Sequence, residues 1–517
     1  MSLQFEFPAN LMAEKFIDEL SREIGTQPAK RERSCKTYYD SFDWRLYSNG
    51  ITCEFNQPVR LRSRQAASST LRLTKAALVI AESKLKQVPA FGKELDPGVI
   101  RDTLEPLLEM RALLPVCTLD VELYHLNIIN KDQKIILRLL IEEYAQITNR
   151  VVLQPVKGYD KAAEQLVDLF SALGLCSTDK PVLSAALQLE GRKPNDYSSK
   201  LNLNLDPDMR ADIAGRYIYS HLLKAIKVNE PGTIADTDSE FLHDFRVAVR
   251  RTRAGLSQIK HILPASRSAY FADFFSWLGQ ITGPTRDLDV YLLNFEHYKS
   301  SLPESIREDL DPLYDFLWVK QQQAQKALAK KLRSPKYLSS LSEWEQFLNE
   351  SSFKEPPEQN AKMTIKELAD LRIWKIFTRV LQEGESITHL SPAESLHDLR
   401  KSCKKLRYLM EFFQSLYPEE QIKQLIKILK GLQEVLGDFQ DYAVQELNLK
   451  LFSEEMMAHN TPVNTFLAMG VLIQDLDAHR CRARKDFASK FEDFKQEHNR
   501  SAFKLLFAPA KAHGDRH

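Results

Sequence analysis

The segment His243-Asp-Phe-Arg-Val-Ala-Val-Arg-Arg-Thr-Arg253 returns 154 positions later as His397-Asp-Leu-Arg-Lys-Ser-Cys-Lys-Lys-Leu-Arg407. His, Asp and Arg align, then a basic pair (250/251 over 404/405), then Arg253 over Arg407. Upstream, Thr237 and Glu240 lie over Ser391 and Glu394; downstream, Gly283, Asp287 and Val290 lie over Gly437, Asp441 and Val444. An ungapped register over about 50 residues marks a duplicated structural unit, so the two copies must share one local fold.

From about residue 205 the apolar pattern has the 3.6-residue helical period, punctuated by Pro231-Gly232, Gly283-Pro284 and Pro303. Glu355-Pro-Pro-Glu-Gln-Asn360 reads as a linker between the copies. Residues 1–195 read differently. Val59–Arg64, Leu71–Lys75, Thr118–Leu123, Lys134–Leu140 and Arg150–Gln154 look like strands, with helices over 11–24, 96–111 and 159–174. That is an α+β domain on antiparallel strands, and the polar run from Gly191 to Ser199 reads as its linker to the helical part.

A chain of 517 residues needs two or three domains. With 71 Lys+Arg against 70 Asp+Glu, bulk charge attracts no polyanion, so any anion site must come from local clustering. No apolar run is long enough to span a bilayer. The start, Met1-Ser-Leu-Gln-Phe-Glu-Phe-Pro, has neither the basic nor the apolar region of a signal peptide. The six cysteines (35, 53, 117, 176, 403, 481) form no CxxC pair, which argues against a zinc site and a disulfide framework; a cytoplasmic location is expected.

Two capping boxes, Thr237-x-x-Glu240 and Ser391-Pro-Ala-Glu394 with Pro392 at the first helical position, phase the repeated helices. On that phase His243, Arg246, Arg250 and Arg253 share an arc of about 80°, as do His397, Arg400, Lys404 and Arg407. Like charges one turn apart repel. Each helix therefore bears a cationic rail about 15 Å long that needs anionic compensation. Segments 243–260 and 397–410 each hold five Lys/Arg and one Asp. Further cations sit at matching places: His221 and Lys224 over Lys375 and Thr378, with Arg379 next, and Lys326 and Lys330 over Arg480 and Arg484. The pattern predicts two helical bundles facing each other across a basic channel.

Arginine forks match phosphate oxygens, and lysine acts as a point charge. Cations spaced by one helical turn suit a chain of phosphates. Aromatic residues are not interleaved with them as nucleic-acid stacking platforms would be, so nucleic acid fits less well. The two His are expected to hydrogen-bond the same anion; metal binding with Asp287, Asp289 and Asp441, or a phosphoacceptor role, are the sharper alternatives. Asp287 and Asp441, read as following a Gly-containing turn, are expected to orient arginines.

The doubled His-Asp-x-Arg-x-x-x-basic-basic-x-Arg helix, with Thr282-Gly-Pro-Thr-Arg-Asp-Leu-Asp-Val290 and Leu436-Gly-Asp-Phe-Gln-Asp-Tyr-Ala-Val444, resembles the CHAD domain (conserved histidine α-helical domain) over about 205–510. The resemblance implies two pseudo-symmetric four-helix bundles, inorganic polyphosphate bound in a basic channel, and association with polyphosphate granules. By position it implies contacts from His243, Arg246, Arg250, Arg251, Arg253, His397, Arg400, Lys404, Lys405 and Arg407. Tyr38-Tyr-Asp-Ser-Phe-Asp-Trp-Arg-Leu-Tyr-Ser-Asn-Gly50 resembles the opening of a CYTH domain, the triphosphate tunnel metalloenzyme barrel. That family's Glu-x-Glu-x-Lys motif reads here Gln4-Phe-Glu6-Phe-Pro8, its Leu-Arg-x-Arg strand falls on Cys53-Glu-Phe-Asn56, and its late acidic strand falls near Val152–Pro155. Carboxylates for a divalent cation and bases for phosphate are missing, which implies a degenerate, non-catalytic barrel.

The chain is thus expected to be multidomain: a barrel-like α+β CYTH-like domain over 1–195, then an all-α CHAD domain over 205–510, with repeats at about 205–350 and 360–510. The expected function is polyphosphate binding without catalysis, cofactor, metal or membrane, with the oligomeric state open. A metal-dependent triphosphatase or polyphosphatase, and a scaffold for acidic partners, are the alternatives.

Overall fold

The computed structural model describes residues 3–9, 11–59, 69–76, 78–350 and 358–509. From residue 60 on, the expected strand Val59–Arg64 lies outside the described residues, as does the first half of the linker 355–360. The chain divides into two compact units, 1–199 and 200–517.

The first unit contains β1 (Leu3–Glu6), α1 (Ala13–Glu23), β2 (Lys30–Asp40), α2 (Arg45–Ser48), β3 (Ile51–Pro58), β4 (Thr70–Lys75), β5 (Leu78–Lys84), α3 (Val99–Leu108), β6 (Leu114–Ile129), β7 (Ile135–Tyr144), β8 (Arg150–Pro155), α4 (Asp160–Ala172), β9 (Cys176–Ser177) and α5 (Val182–Leu189). The nine strands form one curled antiparallel sheet, ordered β5-β4-β3-β2-β6-β7-β8-β1-β9, a half-barrel with two open edges. Side chains alternate across it. Leu137, Leu139, Ile141, Val151 and Leu153 pack under α1 and α4 through Phe16, Leu20, Leu166 and Phe170. Cys53, Phe55, Leu71 and Leu73 pack under α3. The polar run after Gly191, expected as a loose linker, is fastened to this unit. Asp196 Oδ1 accepts from Trp44 Nε1 at 2.8 Å, and Tyr197 packs on Phe42 with ring centroids 4.5 Å apart.

The opposite, concave face is charged. Gln4, Lys36, Tyr38, Glu54, Arg72, Glu142 and Gln154 line a cavity of about 160 Å³. Lys36, only 3% exposed, donates from Nζ to Glu142 Oε1 at 2.6 Å and lies 3.8 Å from Glu54. Arg72 Nη1 donates to Glu54 at 3.2 Å, and Arg150 Nη2 to Glu6 at 2.7 Å. Burial pulls the Lys36 ammonium down, but Glu142 and Glu54 outweigh it and hold it well above the ordinary lysine range. Sequence reading did not single out Lys36 or Glu142. Removing one partner strands the other: Lys36→Met should cost the sheet unit about 3–5 kcal/mol, and Lys36→Met with Glu142→Leu much less. Calorimetric unfolding of the single and double variants checks this.

The second unit is helical: α6 (Ala211–Ala235), α7 (Ser239–Gln258), α8 (Ala265–Ile281), α9 (Gly283–Leu293), α10 (Phe295–Ser301), α11 (Asp311–Leu332), α12 (Pro335–Asn349), α13 (Ile365–Glu385), α14 (Ala393–Phe413), α15 (Glu419–Met456), α16 (Val463–Lys495) and α17 (Glu497–Phe507). Shifted by the 154-residue offset of the repeat, α6 falls on α13, α7 on α14 and α11 on α16. The 38-residue α15 takes the place of three helices, α8 to α10. Pro284, which lacks an N–H, breaks the first copy where the second has Asp438. Pro231-Gly232, expected to end a helix, lies inside α6; Phe241 packs so closely on Gly232 that a Cβ there would meet its ring at 2.3 Å. The turn expected before Asp287 and Asp441 is absent too: Gly283 opens α9 and Gly437 lies within α15.

The apolar core is not split between the repeats. One cluster runs from Ile218, Phe245 and Phe275 of the first to Phe377, Leu406 and Phe491 of the second. A second joins Tyr291 and Leu313 to Phe452 and Leu472. No described helix is long and apolar enough to cross a membrane.

Candidate anion-binding site

Equivalent residues of the two repeats meet. Arg210 and Thr364 form an antiparallel bridge, with Ala211 N donating to Met363 O at 2.9 Å and Ile365 N to Met209 O at 2.8 Å. Tyr291 Oη donates to Gln445 O at 3.4 Å. Asp441 raises the carboxyl of Asp287, and Arg250 lowers the ammonium of Lys404. Arg210 and Thr364, Tyr291 and Gln445, Asp287 and Asp441, and Arg250 and Lys404 are each 154 positions apart. A residue meets its own copy only beside a two-fold axis, so the repeats pack as an isologous pair.

Helices α7 and α14 bring their basic faces to this axis. Phe241, Phe245, Ala248 and Val249 bury one side of α7, and Leu396, Leu399, Cys403 and Leu406 one side of α14. The caps differ from expectation. Asp238, not Thr237, caps α7, accepting from Glu240 N at 2.9 Å and Phe241 N at 3.1 Å; its carboxylate is a stronger acceptor than a hydroxyl. Pro392 is the extended residue before α14 rather than its first helical residue, and the Ser391 hydroxyl accepts from Thr388 N at 2.9 Å.

At the axis, Arg246 donates from Nη1 to Thr282 Oγ1 at 2.9 Å and Gly279 O at 3.3 Å. Arg400 donates from Nη2 to Asp441 Oδ1 at 3.0 Å, the orienting role expected of that carboxylate. Burial, then Arg400 and Arg250, pull Lys404 down to about 8, against a weaker pull upward from Asp441. Burial, with Arg250 and Arg286 nearby, also lowers Arg246 despite Asp287. A guanidinium stays charged at neutral pH, so this shift registers repulsion and lost hydration rather than a lost proton. Asp287 is raised by burial as well as by Asp441.

The remaining expected residues fall into distinct settings. His397 Nδ1 pairs with Gln440 Oε1 at 2.8 Å; His243 is half-buried at the equivalent place on α7. Arg253 lies on Gly279, where a Cβ would stand 2.9 Å from Nη1, so a helix-disfavouring glycine makes room for a guanidinium. Arg251 and Arg407 both reach Glu411, and Lys405 is half-buried beside them in sequence. His221 is lowered by burial, Lys224 and Arg251, which places it by the first rail. Lys224, Lys326, Lys330 and Lys375 are exposed. Arg379 bonds Glu383 at 2.6 Å on its own helix, Arg480 pairs with Asp477 and Glu446, and Arg484 donates to the carbonyls of His389 and Ser391 before α14. Three nearby residues escaped the sequence reading: Arg286, bonded to Ser239 O at 3.1 Å, Gln440, and Glu411. Arg286 and Gln440 occupy equivalent positions in the repeats, and their chemical difference hid the match.

Lys404 supplies a test of what the crowding is for. Its folded pKa lies below the unfolded lysine value near 10.4, so the unfolded chain binds more protons between about pH 8 and 10, and the group's contribution to stability rises with pH through that window. Lys404→Met should therefore raise the melting temperature at pH 7 by about 1–4 °C while weakening anion binding. A purely structural lysine would give the opposite sign in the melt.

Residues 218–450 match the family model of the CHAD domain, a span that includes both rails. Two uncharacterized proteins of Mycobacterium tuberculosis strains are each 27% identical over 252 residues, 48% of this chain and 47% of theirs, so the chain spans about half the length of the curated relatives it matches. A CHAD domain from the plant Ricinus communis, of solved structure, is 23% identical, covering 60% of this chain and 98% of that one with a TM-score of 0.45. A Hippeastrum protein, described as a candidate adenylyl cyclase with a dominant triphosphatase activity, is 13% identical, covering 38% of this chain and 99% of its own with a TM-score of 0.28. The helical unit of this chain carries a CHAD domain at residues 218–450.

Proposed function

We propose that the helical unit binds inorganic polyphosphate along the two rails, and that the sheet unit does no catalysis. The observation that carries the first part is the approach of the two basic helices, shown by Arg251 of α7 reaching Glu411 of α14 at 3.1 Å, with Arg246, Arg250, Arg400 and Lys404 on the faces they bring together; burial, then Arg400 and Arg250, drive Lys404 down to about 8. Each rail runs across several helical turns, so a linear anion with charges along its length matches it better than a single phosphate. An anion entering there raises Lys404 again, and binding should draw in a proton near pH 8. On this reading the protein resides where polyphosphate accumulates.

The second part is supported by the concave face of the sheet unit. Tunnel-enzyme chemistry, to which this unit bears a sequence resemblance, needs carboxylates that hold a divalent cation. Glu54, Glu142 and Asp179 line the cavity, and the Lys36 ammonium lies between the first two at 3.8 and 2.6 Å. Glu6 is engaged by Arg150. These residues do not fit a divalent cation, because a protein cation already stands where it would bind.

Titration of the full chain with polyphosphates of graded length tests the reading. Affinity should rise with chain length and fall with salt, by counterion release as for other polyanions. Each charge-assisted contact is worth roughly 1.5–3 kcal/mol, so Arg246→Ala with Arg250→Ala should weaken binding about a hundredfold or more. Arg400→Ala with Lys404→Ala should cost about the same, and Lys260→Glu, outside the rail, little. Affinity should decline as pH rises past about 8, where Lys404 loses its proton. Capture of an acidic protein with no affinity for polyphosphate would favour a scaffold instead. Triphosphate or ATP with Mg²⁺ or Mn²⁺ should not be hydrolysed; turnover abolished by Glu6→Ala would overturn the non-catalytic assignment.

A further inference from the structure

On each repeated helix the rail continues by one more turn. In the first repeat the stripe runs Arg246, Arg250, Arg253, Ser257; in the second it runs Arg400, Lys404, Arg407, Glu411. Ser257 and Glu411 are equivalent by the 154-residue offset, and here the two copies differ in charge. Glu411 is not a solvated helix-end carboxylate. Arg251 reaches it from α7 of the other repeat, with Nη2 at 3.1 Å from Oε2, and Arg407 approaches Oε1 with Nε at 3.6 Å. The Arg251 and Glu411 side chains are each 15% exposed. A carboxylate hydrogen-bonded by one guanidinium and approached by a second, one from each repeat, stands where a phosphoryl oxygen would find its partners. Ser257 offers no such charge; its hydroxyl donates to Ala254 O at 3.0 Å.

We infer that Glu411 is a built-in competitor for the anion: it occupies Arg251 and Arg407, closes one end of the rails, and sets both the affinity and the extent of the site. This rests on the polyanion-binding reading above. The consequence is a polar site. Arg246, Arg250 and Lys404 meet an incoming anion directly and Arg400 does so beside its partner Asp441, whereas Arg251 and Arg407 engage it only when Glu411 yields. Such an internal carboxylate selects for ligands dense enough in charge to displace it, and selectivity is achieved as much by a repulsive group as by attractive ones.

The experiment is a polyphosphate titration of the full-length chain and two variants at fixed salt. Glu411→Gln keeps the shape and removes the charge; it should bind about five- to tenfold more tightly, with a steeper salt dependence. Arg251→Ala should cost little in the native chain and about tenfold in the Glu411→Gln background, because there the Glu411 charge no longer competes with the anion for the guanidinium. Ser257→Glu, on an exposed position that leaves the core untouched, should add the missing carboxylate to the first repeat and weaken binding severalfold; it keeps the test open if Glu411→Gln folds poorly. Native binding with Glu411→Gln equal or weaker, or with Arg251→Ala equally costly in both backgrounds, overturns the role of Glu411 and leaves the polyphosphate reading standing. Absence of binding by the native chain and by Glu411→Gln alike overturns both.

Discussion

A side chain beside a two-fold axis must meet its own copy, and that constraint organises the helical unit. When the duplicated helix is basic, the axis sets cation against cation: Arg250 faces Lys404 as a matter of symmetry. The same rule sets Asp287 near Asp441 and pairs the backbone of Arg210 with that of Thr364. Hydrophobic burial holds the arrangement together. The apolar sides of α7 and α14 join one core that crosses between the repeats, and the strength of that core permits repulsion at its edge. Stability is conceded locally where a ligand is to be received.

Much of this was legible in the chain because duplication gives every position a second witness. The 154-residue register located α7 and α14 and put a row of cations on one face of each. It failed where the copies diverge. Pro284, at the break between α8 and α9, has no counterpart in the second repeat, and comparing the copies gave no warning that α15 runs unbroken. Local chemistry misled in smaller ways. Thr237 fits a capping box, but Asp238 beside it has the stronger acceptor and took the cap. Pro231 lies where a break was expected, yet packing of Phe241 on Gly232 keeps that stretch of α6 helical.

The site was less legible than the fold, for a reason of kind. Periodicity tells which face a residue occupies and nothing about its partners across a packed interface. Arg484 and Arg246 look alike in a helical pattern; the first secures the carbonyls ahead of α14, and the second points to the axis. Glu411 lies on the rail's own stripe but beyond the matched segment, and its significance comes from an arginine of the other repeat. In the sheet unit, a strand reading that tracked apolar alternation passed over Lys36 and Glu142, which stand on the polar side of buried strands and find each other across 106 positions.

Two half-hidden lysines show how the sign of a shift separates structure from readiness to bind. Lys36 is the more buried, and burial alone would discharge it, yet Glu142 and Glu54 hold it charged well above its ordinary range. Its cluster is complete, so an added anion would have to compete with carboxylates already bonded. Lys404 is less buried and moves the other way: burial lowers it, Arg400 and Arg250 add to that, and Asp441 compensates only in part. Its cluster is deficient in negative charge by construction. A fold that was selected for stability alone has no reason to retain such a deficit, since a single neutral substitution would relieve it. The deficit is therefore the property to be explained, and the linear polyanion proposed above would remove it.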